Sequence, residues 1–494
     1  MAQKSGIRGR CAVALAVLLL TGGWSEPAGR EAPEAAAAQT AASGRTVWIR
    51  KYGGMGAEHL DALSAHPQGG FLAVGRFGPV AFPREEGLAL GLYNADGSLA
   101  WSRVVTTEAV HATSVTLTSL GNILLVGRYR GSPDLGAGPL PAVTGSQSWD
   151  GFFIAKFSPT GQTVWTQGFS ARGIRGQFQR AAPSAVATDA AGSLVVTGAF
   201  RGTLDLGGGP LSSHLTGNTG EAWGEGGFVA KFSWEGKHQW SAALQSGVFD
   251  TPEKTPRLQS ITTDPEGNVL LGGSSGAWMN LGDGVLGVQA PFIAKYSATG
   301  RLLWKRLFGG AYGDVMGLQA QGTGQVAFIG NFGGSFTFGG SRHLGGDPRR
   351  GPLVPPNTNG FVGQLSATGA DAWLTSVGTG NGANLTFEQL SMGEGRTLTV
   401  SGWGVGEFDL GGGTLGDADG APVPQAVRPF VARYSGEGQF QWAHVVAYDR
   451  LFLMAPQPAG GLVLGTTLSG TLELDGQPWT SAGATDLLYW RMEP

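Results

Sequence analysis

One segment, GFFIAKFSPTGQTVW at 151–165, returns along the chain with its internal spacing kept. It recurs as PFIAKYSATGRLLW (291–304) and PFVARYSGEGQFQW (429–442), as GFVAKFSWEGKHQW ending at Trp240, and as GFVGQLSATGADAW ending at Trp373. A divergent copy, LALGLYNADGSLAW, ends at Trp101. In all six a small residue (Gly91, Ala155, Ala230, Ala294, Gly363, Ala432) lies ten positions before the Trp, and a Gly (Gly97, Gly161, Gly236, Gly300, Gly369, Gly438) four before it. Such self-similarity marks an array in which each unit buries its apolar face against its neighbours.

The unit reads as a β-hairpin. Phe153, Ala155 and Phe157 alternate onto one face of a strand, and S-x-T-G supplies a turn whose Gly takes positive φ. The Trp lies on the returning strand, where a large aromatic can cover the neighbouring unit. A second recurring unit precedes the first: TDAAGSLVVTGAFRGTLDLGGGPL (188–211) and TDPEGNVLLGGSSGAW (263–278), with looser copies at 119–140 and 393–415. Its D-x-x-G segment is a turn and its L-V-V-T-G run a buried strand. Each repeat therefore holds four strands.

The D-x-x-G-type turn occurs seven times, near Gly69, Gly121, Gly192, Gly267, Gly324, Gly395 and Gly460. The Trp strand also occurs seven times (Trp48, Trp101, Trp165, Trp240, Trp304, Trp373, Trp442), but Trp48 precedes every repeat, and the final DLLYWRMEP stops after a third strand. The expected fold is thus an all-β, seven-bladed β-propeller of four-stranded blades, residues 45–494, closed by an N-terminal strand that completes the last blade. Repeats of 53 to 75 residues exceed the ~40–50 usual for propellers, and the excess lies in Gly-rich loops. The 86 glycines belong to turns, since each would cost about 1 kcal/mol inside a helix.

Upstream, Lys4, Arg8 and Arg10 precede an apolar run from Cys11 to Leu20, the pattern of a secretory signal and too short to span a bilayer comfortably. Residues 1–23 are read as a signal peptide and 24–44 as an Ala/Pro-rich linker. Leu20-Thr21-Gly22-Gly23 has Trp24 where a lipidated Cys would stand. The expected location is secreted, periplasmic or at the cell surface. Cys11 is the single cysteine, so the exported part has neither disulfide nor thiol nucleophile. A net charge of −3 offers no field for nucleic acid.

The second unit resembles the SBBP family of bacterial β-propeller repeats, from about residue 45 to the end. AKFSPTGQTVW (155–165) is also similar to the tryptophan-docking motif of quinoprotein propellers at Ala155, Thr160, Gly161 and Trp165. That motif's Asp is replaced by Phe157, Phe232, Tyr296, Leu365 and Tyr434. The resemblance implies propeller packing; without the eighth blade and the cysteines typical of those enzymes, it argues against a quinone cofactor.

Chemical motifs are few. Gly272-Gly273-Ser274-Ser275-Gly276 matches G-x-S-x-G without the strand-turn-helix setting of a nucleophile elbow. His59, His66, His111, His214, His238, His343 and His444 show no metal-ligand spacing, and Asp417-Ala418-Asp419-Gly420 lacks the carboxylates of a calcium loop. Asp134, Asp205, Asn280, Asp409 and Glu473 precede the Gly-rich loops; capping of loop amides is favoured over a ring of Ca²⁺ or sugar sites. No cofactor is expected, with Ca²⁺ left open and unsupported.

Candidate ligand contacts are Trp149, His214 and Trp223 in loops between strands two and three, with Tyr312 and Asp314 in the loop before an innermost strand. Two functions stand. The first is an exported, non-enzymatic binding or scaffold protein that takes a protein or glycan at the cell envelope. The alternative is a polysaccharide-active enzyme or multivalent lectin with residues converging at the central channel.

Overall fold

Each set of four apolar runs, punctuated by glycine turns, pairs antiparallel in chain order and makes one sheet. The computed structural model describes residues 44–493 except 54–55, 78–86, 144–150, 174–179, 214–224, 246–254, 277–278, 346–357, 379–383, 416–426, 447–451, 459–460 and the side chain of Glu394. From the innermost strand outward, blade 1 is His59–Ala65, Phe71–Arg76, Leu88–Tyr93 and Leu99–Thr106. Blade 2 is Val110–Leu117, Ile123–Tyr129, Gly151–Phe157 and Thr163–Arg172. Blade 3 is Arg180–Thr188, Leu194–Arg201, Glu225–Phe232 and His238–Leu244. Blade 4 is Arg257–Thr263, Val269–Ser274, Pro291–Tyr296 and Leu302–Leu307. Blade 5 is Ala311–Ala320, Val326–Phe338, Asn359–Leu365 and Asp371–Val377. Blade 6 is Asn384–Met392, Leu398–Val405, Val427–Tyr434 and Phe440–Val445.

Blade 7 is made from both ends of the chain. Leu453–Pro456, Leu462–Leu468 and Asp486–Glu493 take their fourth strand from Arg45–Tyr52, which pairs with Glu493 back to Leu487. Each innermost strand packs on the next, and Leu453–Pro456 packs on His59–Ala65, so the ring is closed. The sheet faces are buried between blades; Leu60 and Ala73 of blade 1, for example, share a cluster with Ala455, Val463 and Leu487 of blade 7.

The repeated Trp ties each blade to the next. Nε1 of Trp48, Trp165, Trp240, Trp304 and Trp373 donates to the carbonyl of the second turn residue of the following blade: Ala95, Trp234, Ala298, Ala367 and Gly436, at 2.9–3.3 Å. The turn glycine has room for the indole only because it carries no side chain; a Cβ on Gly300 would stand 2.7 Å from Trp240. At the closing blade no such turn exists. Trp442 is buried against Gly44 instead, and its Nε1 has no partner among the described residues.

The D-x-x-G turn also holds charge. Asp189 and Asp264 reach the Lys of the F-I-A-K strand of their own blades, Lys231 at 2.8 Å and Lys295 at 2.7 Å, all four side chains at most 7% exposed. In blade 5, Gln321 and Gln364 stand at these positions, and both are buried.

The long loops between strands two and three do structural work in their Gly-rich part. Thr203–Asp205 turns into Pro210–Ser212 and pairs with Arg172 and Ala171 of the preceding blade, giving that blade a six-stranded sheet. Leu204 and Leu206 are buried there. Asp409 bridges in the same way to Gly378, and the amide of Asn280 donates to Gln245. These hairpins cover outer strand edges, a reason for their length beyond partner binding.

Candidate functional site

One irregularity recurs around the ring. In six of the seven innermost strands the pairing with the second strand slips by one residue, leaving Asp61, Thr113, Ser184, Gln259, Met316 and Glu388 unopposed. A β-bulge of this kind bends the strand and re-aims a side chain. The residue before each bulge sits opposite Gly75, Gly127, Gly198, Gly273, Gly330 or Gly402, the last Gly of the L-V-V-T-G run. A Cβ on any of these would collide with a carbonyl of the innermost strand, from His59, His111, Ala182, Arg257, Asp314 and Thr386 in turn. Blade 7 has Thr466 at the corresponding position, and its short innermost strand pairs without a slip.

Two sets of residues therefore recur near the start of the innermost strands, at one end of the ring. The outer set is His59, His111, Ala182, Arg257, Asp314 and Thr386; the bulge set is Asp61, Thr113, Ser184, Gln259, Met316 and Glu388. All six bulge residues are partly exposed. The loops between strands two and three, and those joining successive blades, leave from this same end.

Charged groups pair across blade boundaries here. Asp314 is held by Arg257 of the preceding blade through two contacts, Nε to Oδ1 at 3.1 Å and Nη2 to Oδ2 at 2.9 Å. The Asp314 side chain is 13% exposed and that of Arg257 53%. Burial pushes the Asp314 carboxyl above the usual carboxylate range, against the opposing pull of Arg257. Asp61 meets His59 at 3.1 Å and Arg76 at 3.4 Å. Arg76 also donates to Nδ1 of His111 in blade 2 at 2.8 Å, which fixes that ring's proton on Nε2. Glu388 accepts from Trp403 Nε1 at 3.2 Å.

At the position after this Gly, and at its counterpart in blade 7, two side chains tie one blade to the next. Asn331 clasps the backbone of Phe387, accepting at 2.7 Å and donating at 3.3 Å. Thr467 Oγ1 accepts from the amide of Leu60 at 3.0 Å.

Of the sequence candidates, Tyr312 and Asp314 are at this end of the ring, but within the strand Ala311–Ala320 and not in the loop before it. The strand is long because its partner, Val326–Phe338, extends to meet it as far as Gly334. Gly333 lacks a Cβ where the Tyr312 ring lies over it. Trp149, His214, Trp223, Asp417 and Asp419 lie outside the described residues. Sequence reasoning missed His59, Asp61, Arg76, His111, Arg257 and Glu388; the signal that could have found them is the repeated Gly opposite each bulge.

The other motifs are structural. Asp134, Asp205, Asn280 and Asp409 each accept two loop amides through Oδ1, from Gly136 and Gly138, Gly207 and Gly209, Gly282 and Gly284, and Gly411 and Gly413, at 2.7–3.2 Å. Ser274 and Ser275 are buried, and Ser275 Oγ is spent on the backbone of Val288 and Ala290. Among the described residues, no three His, Cys, Asp or Glu side chains gather as metal ligands. No helix there is long and apolar enough to cross a membrane.

Strand pairing and ring closure define a seven-bladed β-propeller with paired polar and charged side chains at one end of its innermost strands. No family model and no curated protein matches the chain. Among solved structures it is similar to the Dos1 propeller (10% identity, 90% of this chain and 95% of that one, TM-score 0.41). It is also similar to a protein from Lactobacillus plantarum (12%, 85% and 98%, 0.41) and to an ulvan lyase of a new polysaccharide lyase family (9%, 88% and 97%, 0.40). The likeness is one of outline; the blade count rests on the strand pairing above.

Proposed function

We propose that this propeller acts on a polysaccharide held at the mouth of its central channel. The observation that carries this reading is the ring of bulges. Its backbone is fixed by a repeated Gly, while the side chains at its two positions change from blade to blade: Met316 and Ala182 are apolar and pack inward, and the other ten are carboxylate, imidazole, guanidinium, hydroxyl or amide. Packing alone gives no reason for that variety, and a polyhydroxylated ligand needs such a mixture of donors and acceptors. Within the site, Asp314 keeps its proton to higher pH than an ordinary carboxyl and can donate it. Asp61, beside His59 and Arg76, and Glu388, beside Trp403, present acceptor oxygens at the same end.

The loop caps weigh against a multivalent lectin with one site per blade, since four of those side chains are already committed to their own amides. Export through the amino-terminal signal, and a place at the cell envelope, belong to the same proposal. The test is a screen of the full chain against soluble polysaccharides, with and without Ca²⁺, followed by analysis for shortened products. Binding with product release, lost in Asp314→Asn, supports an enzyme; binding without products supports a non-enzymatic scaffold. Failure of every mouth variant to alter glycan binding removes the mouth from the site.

A further inference from the structure

At the opposite end of the propeller, two departures from the repeat coincide. The second turn residue of the S-x-T-G hairpin is small or Pro in the other copies (Ala95, Pro159, Ala298, Ala367, Gly436), but in blade 3 it is Trp234. Trp234 is 58% exposed and is the one aromatic among the exposed large apolar side chains of the described residues. In blade 2, Thr118 replaces the Asp that pairs the buried Lys in blades 3 and 4, and its Oγ1 accepts from Asn122 instead. Lys156, 7% exposed, has no Asp at that turn and reaches across to blade 3, as Lys231 reaches the Gly267 carbonyl of blade 4. The Nζ of Lys156 donates to the Trp234 carbonyl at 3.1 Å and lies 4.9 Å from the indole centroid. Nε1 of Trp165 reaches the same carbonyl at 3.3 Å.

Backbone and ring of Trp234 are thus both fixed from the protein side, and the ring remains open to solvent. A rigid aromatic plate loses little entropy when something stacks on it. Its neighbours in the chain are Ser233, Glu235 and Lys237, with Glu235 and Lys237 paired at 3.0 Å on the surface. A lone plate in polar surroundings suits a sugar ring, which offers an aliphatic face for stacking and hydroxyls for the rim. From this juxtaposition of Trp234 over Lys156 we propose a second saccharide-binding site, on the face remote from the channel mouth.

The experiment is fluorescence titration and affinity electrophoresis of the full chain with xylan, cello-oligosaccharides, chitin oligosaccharides and polygalacturonate. Binding is expected to quench tryptophan emission. Trp234→Ala should weaken it by at least about tenfold, the equivalent of ~1.4 kcal/mol, with an unchanged melting temperature. Trp234→Tyr, which keeps a plate, should stay within about threefold. Lys156→Met should weaken binding less than Trp234→Ala, because the ring remains and only its bracing is lost. Asp314→Asn, at the other face, separates the two sites by leaving the Trp234-dependent quench in place. Equal binding by wild type and Trp234→Ala, or no binding by wild type to any of the four, overturns the proposal.

Discussion

The carbonyl oxygen of Arg257 occupies the space that a β-carbon on Gly273 would need. That relationship, repeated in six blades, joins a sequence motif to a backbone irregularity and the irregularity to the candidate site. Gly273→Ala forces the bulge at Gln259 to move or the blade to open. The expected outcome is a loss of about 1–3 kcal/mol, the range for overpacking a filled site. Denaturant unfolding measures it, and a variant as stable as wild type would mean that the bulge does not depend on Gly.

The docking tryptophans are only partly buried, which lowers what each is worth. Trp240→Ala is expected to cost ~2–3 kcal/mol, below the ~3–5 of a fully buried aromatic. Trp240→Phe keeps most of the packing on Gly300 and loses the bond to Ala298, for ~1 kcal/mol. If the two variants unfold at the same denaturant concentration, the hydrogen bond rather than the ring carries the contact.

Much of this architecture is legible in the chain. The Trp and Gly spacings announce the hairpin, and the unpaired Trp48 announces the strand exchange that Arg45–Tyr52 makes with Asp486–Glu493. The mouth is not legible in the same way. Arg257 and Asp314 stand 57 residues apart, and His111 meets an Arg 35 residues upstream; no fixed spacing links groups brought together by ring closure. The L-V-V-T-G Gly could be read as a strand residue, but its purpose needs the opposing carbonyl. Likewise D-x-x-G reads as a turn, while its buried pairing with the F-I-A-K lysine becomes visible only when the two hairpins lie side by side.

That pairing makes an acid-sensitive element. Burial alone would raise the Asp264 carboxyl, but the Lys295 ammonium and the Asn268 side chain and amide outweigh it and hold the carboxyl below its ordinary range. The stabilisation is therefore present above the unfolded value of about 3.9 and is lost as pH falls through the lower folded value. Asp264→Asn leaves Lys295 buried without its counter-ion and should cost ~3–5 kcal/mol at neutral pH. The double change Asp264→Gln, Lys295→Gln copies blade 5 and should cost clearly less. Equal losses in the two variants would show that the charges are not coupled.

The Gly-rich hairpins predict a separation within one loop. Leu204 is buried against blade 2, so Leu204→Ala should destabilise by ~2–4 kcal/mol. Replacing 207–226 with a short turn removes Pro210–Ser212 as well, and is expected to lower the melting temperature whether or not a ligand binds there. A replacement that melts with wild type would return the whole loop to partner binding.

Asp314 offers a test of opposite sign to Asp264. Its folded carboxyl is raised by burial, so between the unfolded value of about 3.9 and the higher folded value the native state holds a proton that the unfolded chain has released. Stability from this residue is full below about 3.9 and declines as pH rises through the folded value. Asn cannot ionise, and Arg257 is solvated enough to tolerate losing its partner. Asp314→Asn should therefore melt at or above wild type at pH 7 and lose that advantage near pH 4. Thermal melts of both proteins at the two pH values decide it. If Asp314→Asn is instead the less stable protein at pH 7 and the gap closes in acid, Arg257 outweighs burial. Asp314 would then be a bound carboxylate with no proton to give, and its role at the mouth would be to accept.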